Sequence, residues 1–360
     1  MKKIILTGGG TAGHVLPHLA MLPALKNAGF VPHYIGSHAG IERELVENAG
    51  IPYSGIASGK LRRYFDLKNI TDMFRVVKGL SDAVRVLRRE KPDLVFSKGG
   101  FVAVPVMMAA RLLRIPAVIH ESDFTPGLAN RLSAPFAKKI CVCFPETLAH
   151  ISKEKGVLTG SPIRAEMLNG NRERGLKHCG FDVHSPAGDK PVLLVTGGSL
   201  GAQAINNTVR KALPDLAKQF RIIHLCGKGN LAEVPPNIPA NHYIQFEYVA
   251  NGLNDLYAAA DIVLSRAGAG TIFELLALKK PHLLIPLSRK ASRGDQILNA
   301  ESFAKQGFSA VMQEEEMTPA QLVAKCHQLN KSRHEYINRM TAHGINNGIS
   351  AVLEILQQFA

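Results

Sequence analysis

Two glycine-rich stretches carry residues whose types and spacing could do chemistry. One reads Ile262-Val263-Leu264-Ser265-Arg266-Ala267-Gly268-Ala269-Gly270-Thr271-Ile272-Phe273-Glu274. Its apolar run, Ile262 to Leu264, suits a short buried parallel strand, and an amphipathic helix is predicted from about Thr271. Amides at such a helix start are unpaired and carry partial positive charge, which makes an anion site, most often for phosphate. Glu274, one turn in, could accept from both hydroxyls of a ribose. The pattern suits a nucleotide, and equally an ordinary strand-turn-helix whose first-turn Glu answers the helix dipole. The other stretch, Gly8-Gly9-Gly10-Thr11-Ala12-Gly13-His14, follows an apolar run Ile4-Ile5-Leu6-Thr7. Its G-x-G-x-x-G spacing suggests a dinucleotide site. The acid wanted ~20 residues on is missing, because His33-Tyr34-Ile35 runs into Gly36-Ser37-His38. NAD is therefore disfavoured, and the loop either wraps another phosphate or lets backbone pass close.

The elements that must position these turns repeat along the chain. Strand-helix units recur at Asp93–Phe96, Ala117–His120, Ile140–Cys143 and Gly156–Leu158, which implies a parallel sheet with helices on both faces. Sites then belong at the carboxyl ends of the strands. From about Ile163 to Lys190 the pattern lapses into a charged, Gly-rich linker. It restarts at Pro191-Val192-Leu193-Leu194-Val195-Thr196 and Gly197-Gly198-Ser199-Leu200-Gly201-Ala202, echoing the first strand and loop. At 360 residues two similar doubly wound domains are expected.

Composition sets further bounds. The net charge is +14 and 46% of residues are hydrophobic. Residues 1–163 hold 22 Lys+Arg against 12 Asp+Glu, so the first half is the basic one and should prefer an anionic partner. No nucleic-acid-binding motif is evident, so nucleic acid is not expected. Five cysteines, an odd number without metal spacing, fit a reduced cytoplasmic protein. The run after Lys2-Lys3 is too short for a signal peptide, and no run reaches a membrane span. From Lys60 to Lys91, ten Lys+Arg stand against four Asp+Glu. Tyr64, Phe65, Met73 and Phe74 interleave there with Arg62, Arg63, Lys68, Arg75 and Lys78. That mixture reads as a membrane-surface element, or as a domain helix with a solvated basic face.

Taken in order, the motifs Thr7–His14, His120-Glu121, Gly160-Ser161-Pro162-Ile163-Arg164, Gly197–Ala202, Arg266–Glu274 and Asp295-Gln296 to Asn299 resemble the MurG family, the N-acetylglucosaminyltransferases that make lipid II. The resemblance spans nearly the whole chain. It implies a GT-B fold, an α/β architecture of two Rossmann-like domains facing a deep cleft. An acceptor domain over 1–163, joined by the final helix 348–360, would face a UDP-sugar domain over 164–347. It implies UDP-N-acetylglucosamine as donor, undecaprenyl-diphosphate-linked muramoyl-pentapeptide as acceptor, no cofactor, and a peripheral place on the cytoplasmic face of the membrane. Ser199 and Ala269-Gly270-Thr271 would hold the diphosphate, Glu274 the ribose, Gln296 the sugar hydroxyls and Arg164 a place near the nucleotide. Val249 stands where the family has an apolar base contact. Thr11, Ala12, Gly13 and His14 would close on the sugar and acceptor phosphates. Many members carry Asn where this chain has Asp123, exchanging an amide donor for a carboxylate.

The chemistry of such a transfer fits the residues. The chain has no Asp-x-Asp, so no metal clamp is expected and the leaving diphosphate must be met by N–H groups. Inversion needs a base beside the acceptor hydroxyl. His14, taken as the start of a helix whose dipole disfavours imidazolium, is a candidate, with Glu121 and Asp123 as rivals. Two other lipid or sugar-nucleotide activities fit the fold, a diacylglycerol glycosyltransferase and a UDP-sugar 2-epimerase. The basic-aromatic stretch disfavours the epimerase and the Gly8–His14 loop disfavours diacylglycerol. A nucleotide-binding module without catalysis would be told apart by turnover.

Overall fold

A computed structural model describes the chain except residues 60–67, 182–188, 199–200, 240, 250, 290–293 and 345–346, and gives backbone alone for 68–74. The chain divides into two compact units, one of Met1–Arg164 with Asn347–Ala360, the other of Ala165–Asn346.

The first unit is built on β1 (Lys2–Gly8), β2 (Phe30–Ser37), β3 (Tyr53–Ile56), β4 (Leu94–Gly99), β5 (Ala117–Glu121), β6 (Lys139–Val142) and β7 (Gly156–Leu158). All pair in parallel, in the order β3-β2-β1-β4-β5-β6-β7. Both faces of a parallel sheet are covered, so its central strands carry apolar runs before their carboxyl ends: Ile4, Ile5 and Leu6 are all fully buried. One face packs Ile4, Leu6 and Phe96 against Met21, Leu22 and Leu25 of the helix Leu16–Asn27. Val352, Ile355 and Leu356, from the final helix Ile349–Gln357, join that cluster. The other face packs Ile5, Ile35 and Val95 against Ala83, Leu87, Val106 and Met107. Asn347 ties the returning chain down: its Oδ1 accepts from Ile163 N at 2.8 Å and its Nδ2 donates to Ile163 O at 2.6 Å.

The second unit has β8 (Val192–Thr196), β9 (Arg221–Leu225), β10 (Tyr243–Phe246), β11 (Ile262–Ser265), β12 (His282–Leu284) and β13 (Ser309–Val311), parallel in the order β10-β9-β8-β11-β12-β13. Leu193, Val195, Ile222 and Leu264 pack with Ile205, Val209 and Leu213 of the helix Gln203–Gln219. In each sheet the order reverses beside the first strand, between β1 and β4 and between β8 and β11. Ligands of doubly wound sheets bind at that switch, beyond the carboxyl ends.

Three local expectations need correction. The stretch 163–190 is not only linker: it holds the helices Ala165–Leu168 and Arg172–His178. Gly170 and Gly175 let them press on the helix Leu253–Ala259, since an added Cβ would meet Asn254 O at 2.2 Å and Asp255 O at 2.1 Å. Arg174 then grips Asp255 with Nε and Nη2, both at 2.9 Å. The helix after β11 opens at Ala269 rather than Thr271, because Gly268 is the extended N-cap. His14 does not start the long helix but ends a single 3-10 turn, Ala12–His14, ahead of Leu16–Asn27.

Candidate active site

In the first unit the switch point is occupied by the Gly8–His14 loop, and glycine is what lets it sit there. Gly100, at φ +82°, lies so close that an added Cβ would stand 2.3 Å from Gly9 O. The loop is held from below by Glu42, a buried residue of the helix Ile41–Asn48. Its carboxylate accepts from Gly10 N at 3.2 Å, Ser37 N at 3.0 Å and Ser37 Oγ at 2.5 Å. Burial works against the charge, but these hydrogen bonds outweigh it and hold the carboxyl below its ordinary range. This acid comes four residues after the position where a ribose-binding carboxylate was looked for, and it grips the loop itself.

His14 Nδ1 lies 2.8 Å from Gly9 O and 3.2 Å from Thr11 Oγ1. Since a carbonyl only accepts, the proton sits on Nδ1 and Nε2 keeps a lone pair. The imidazole pKa is held below its ordinary value. Burial is the main cause and the Lys98 charge the second, with Gly9 O, Asp123 and Glu42 opposing. Thr11 and Gly13 are exposed and Ala12 half-buried on the same turn.

Glu121 ends β5 and is buried. Its Oε1 accepts from Asp123 N at 3.0 Å, and its Oε2 from Gly127 N at 2.9 Å and Asn130 Nδ2 at 2.8 Å. Both oxygens thus shape the turn that carries Asp123, a positioning geometry rather than that of a base open to substrate. Asp123 is near enough to His14 to act on its charge. Sequence reading passed over Lys98, which lies buried below this turn with Nζ 2.6 Å from His120 Nδ1.

In the second unit, β11 leads through Gly268 into the helix Ala269–Ala277. The helix ladder begins with Ile272 N on Gly268 O at 3.1 Å. The amides of Ala269, Gly270 and Thr271 precede that first bond and project from the helix start. Gly270 is exposed, and a Cβ added there would meet nothing within 4 Å. Glu274, half-buried, lies on the same helix. Gln296 is on the neighbouring helix Asp295–Lys305, where its Oε1 accepts from Leu287 N at 3.0 Å. That contact fixes the amide with Nε2 as the remaining donor group. Asn299 Nδ2 donates to Ala267 O at 3.2 Å and so ties this helix to the turn after β11. Val249 is half-buried in the loop after β10.

The loop after β8 turns at Gly198 (φ +86°) and Gly201 (φ +75°), with Gly201 N on Gly198 O at 3.0 Å. Ser199 itself lies outside the described residues. So do Arg62, Arg63, Tyr64 and Phe65, and the side chains of Met73 and Phe74. Arg164, half-buried, is the last residue of the first unit before the chain passes to the second. Among the described residues no group of three or more His, Cys, Asp and Glu is placed to hold a metal ion. The five cysteines are free and buried.

The glycosyltransferase family 28 N-terminal domain matches residues 4–142, and the family 28 C-terminal domain residues 192–355. The UDP-N-acetylglucosamine--N-acetylmuramyl-(pentapeptide) pyrophosphoryl-undecaprenol N-acetylglucosamine transferase of Clostridium kluyveri is 56% identical over 359 residues, 100% of each chain. The transferase of the same name from Clostridium tetani is 53% identical, over 99% of this chain and 98% of its own. Among solved structures, Acinetobacter baumannii MurG matches with a TM-score of 0.78 at 27% identity, covering 99% of this chain and 100% of that one. The UDP-GlcNAc 2-epimerase of Neisseria meningitidis shares the fold, with a TM-score of 0.68 at 15% identity, covering 99% and 100%. With both domain models matched in order and such identity over its full length, the chain belongs to the MurG family of family 28 glycosyltransferases, with the GT-B fold.

Proposed function

We propose that this protein transfers N-acetylglucosamine from UDP-N-acetylglucosamine to undecaprenyl-diphosphate-linked N-acetylmuramoyl-pentapeptide, with inversion, giving lipid II for peptidoglycan synthesis. The observation that carries the activity is the 56% identity over the full length to a transferase of that name. The mechanism we read for it assigns each residue a role. His14 Nε2 takes the proton of the acceptor hydroxyl as its oxygen attacks the anomeric carbon. The bond from that carbon to the donor diphosphate breaks, and UDP leaves with the electron pair. Charge gathering on the diphosphate is met by the amides of Ala269, Gly270 and Thr271, helped by Ser199. Glu274 accepts from the ribose hydroxyls, Gln296 Nε2 binds the sugar, Val249 packs on the base, and Arg164 adds charge near the nucleotide. Thr11, Ala12 and Gly13 line the acceptor's approach, and Glu121 sets the turn bearing Asp123.

The acceptor's lipid belongs in a membrane, and the first unit has a surface suited to one. The helix Lys68–Glu90 exposes Arg75, Val77 and Lys78. Lys78 also lines a cavity of about 460 Å³ with His38, Arg85, Arg89 and Asp82. No described helix is long and apolar enough to cross a membrane. We read the helix and the preceding residues, with Arg62, Arg63, Tyr64, Phe65, Met73 and Phe74, as a peripheral contact with anionic head groups on the cytoplasmic face. The test of the activity mixes purified protein with UDP-N-acetylglucosamine and a lipid-I analogue and follows UDP release. Release only when both are present is expected. No release, or release indifferent to the acceptor, overturns the reading.

A further inference from the structure

Lys98 is 2% exposed near the end of β4. The β1–β4 register slips between Thr7 and Gly8, with Thr7 opposite Ser97 and Gly8 opposite Gly99, so Lys98 is the extra residue of a bulge. A Cβ added to Gly8 would stand 3.3 Å from Lys98 Cβ and 2.9 Å from His14 O. Lys98 and the His14 backbone thus pack on the same glycine, Gly8, at the foot of the loop. Its Nζ donates to His120 Nδ1 at 2.6 Å and to Ser122 Oγ at 2.5 Å. His120 Nε2 in turn donates to Gly160 O at 3.0 Å. One ammonium proton thus goes to His120, one to Ser122, and the Nε2 proton of a neutral His120 to Gly160. Both acceptors of the ammonium are uncharged, so a buried cation stands without a hydrogen-bonded carboxylate, an arrangement costly to keep.

We propose that Lys98 is a positioning residue of the transfer reaction: it fixes the turn His120–Asp123 and presents a buried positive charge to His14 that keeps the imidazole ready to accept a proton. This rests on His14 as the base. The groups acting on His14 are Lys98 on β4, Glu42 on the helix Ile41–Asn48, and Asp123 after β5. His18, one turn along the helix Leu16–Asn27, feels both His14 and Lys98. Burial lowers the Lys98 pKa, and Cys143, Glu121, Asp123 and Cys141 oppose that. Glu42 and Asp123 draw a proton toward His14, and Lys98 is the cation that answers them.

The test uses Lys98→Gln, which keeps a donor for His120, and Lys98→Met, which keeps the apolar stem. Two quantities are read in the full chain. One is the imidazole titration of His14 by NMR, identified by its loss in His14→Gln. The other is the acid limb of kcat/KM, which reports the free enzyme's base. Removing a cation eases protonation, so both should rise by about half a pH unit or more in each variant. Above the limb, Lys98→Gln should regain most of its rate. A merely structural role lowers the rate at every pH and leaves the titration where it was, and that result overturns the proposal while sparing His14 as base. A titration that moves while the acid limb stays removes His14 as base, and with it Lys98 from the reaction.

Discussion

His14 Nδ1 donates to the carbonyl oxygen of Gly9, five residues back in its own loop, at 2.8 Å. The contact fixes both tautomer and ring, so the lone pair on Nε2 is aimed before any substrate arrives. Replacing His14 by Gln or Ala should lower kcat roughly 10²–10⁴-fold, the usual worth of a positioned base. UDP affinity should stay within about twofold, because the nucleotide groups we propose lie on the other unit. Steady-state kinetics and calorimetry check both halves. Near-full turnover in a folded variant would pass the role to Asp123, since both oxygens of Glu121 are already engaged.

The buried histidines make stability fall on acidification. His282 donates from Nδ1 to Lys280 O at 2.6 Å and shares a 2.6 Å hydrogen bond between Nε2 and Ser309 Oγ. Burial pushes its pKa down from 6.5 to about 4 and that of His224 to about 3. His18 and His120 are also held well below the ordinary value, burial being the main cause. Below pH 6.5 the unfolded chain binds these protons and the folded one does not, so stability is full above that pH and is lost as pH falls toward about 4. For His282 alone the loss is on the order of 3 kcal/mol. Urea midpoints taken from about pH 7 to pH 4.5 should drop steadily. A flat profile would mean these imidazoles are not neutral in the fold.

Much of this arrangement was legible in the sequence, because short apolar strands ending in glycine punctuate both halves. Gly8–His14 and Gly197–Ala202 could be set side by side before any contact was known, and each follows the first strand of its sheet. What stayed hidden depends on long-range pairing. Glu42 reads as a surface acid until Gly10, 32 positions away, is seen on its carboxylate. Lys98 reads as one more cation of a basic half until the bulge on β4 buries it under the loop. The helix Arg172–His178 looked like linker because its charges, Arg174 above all, find their partner at Asp255, 81 positions on. At His14, tertiary burial and a neighbouring cation lower the pKa, where periodicity could suggest only a helix end.

Donor binding should depend on Glu274. The carboxylate lies half-buried on the helix whose first amides precede the Ile272–Gly268 hydrogen bond. A charge-assisted contact to two ribose hydroxyls is worth ~1.5–3 kcal/mol. Glu274→Ala should therefore raise the UDP dissociation constant at least about tenfold. Glu274→Gln, neutral but able to accept, should lose less. 2′-Deoxy-UDP, which keeps the 3′-hydroxyl alone, should bind the wild type more weakly than UDP but more tightly than UDP binds the Ala variant. Calorimetry giving unchanged UDP affinity in a folded Glu274→Ala protein would sink the ribose assignment.

Membrane association should run through the start of the helix Lys68–Glu90 and the residues just before it. Arg75 and Lys78 are exposed there beside Val77, which is 63% exposed. An apolar residue presented between cations is the pattern of a surface that meets head groups with charge and the interface with hydrocarbon. Each basic residue near an anionic bilayer contributes about 1 kcal/mol, and the attraction fades as salt shortens its range. Changing Arg62, Arg63, Arg75 and Lys78 together to Gln removes about 4 kcal/mol, close to a thousandfold in partition. The variant should no longer sediment with vesicles rich in phosphatidylglycerol at low salt, while the unaltered protein does so and is released as salt rises. Turnover of a short-chain, water-soluble acceptor should survive, because none of the four is among the groups proposed to bind donor or move a proton. Sedimentation that persists in the variant, or that is equal on neutral vesicles, would make this an ordinary solvated helix face. The membrane contact would then have to be sought at Lys138 and Lys139.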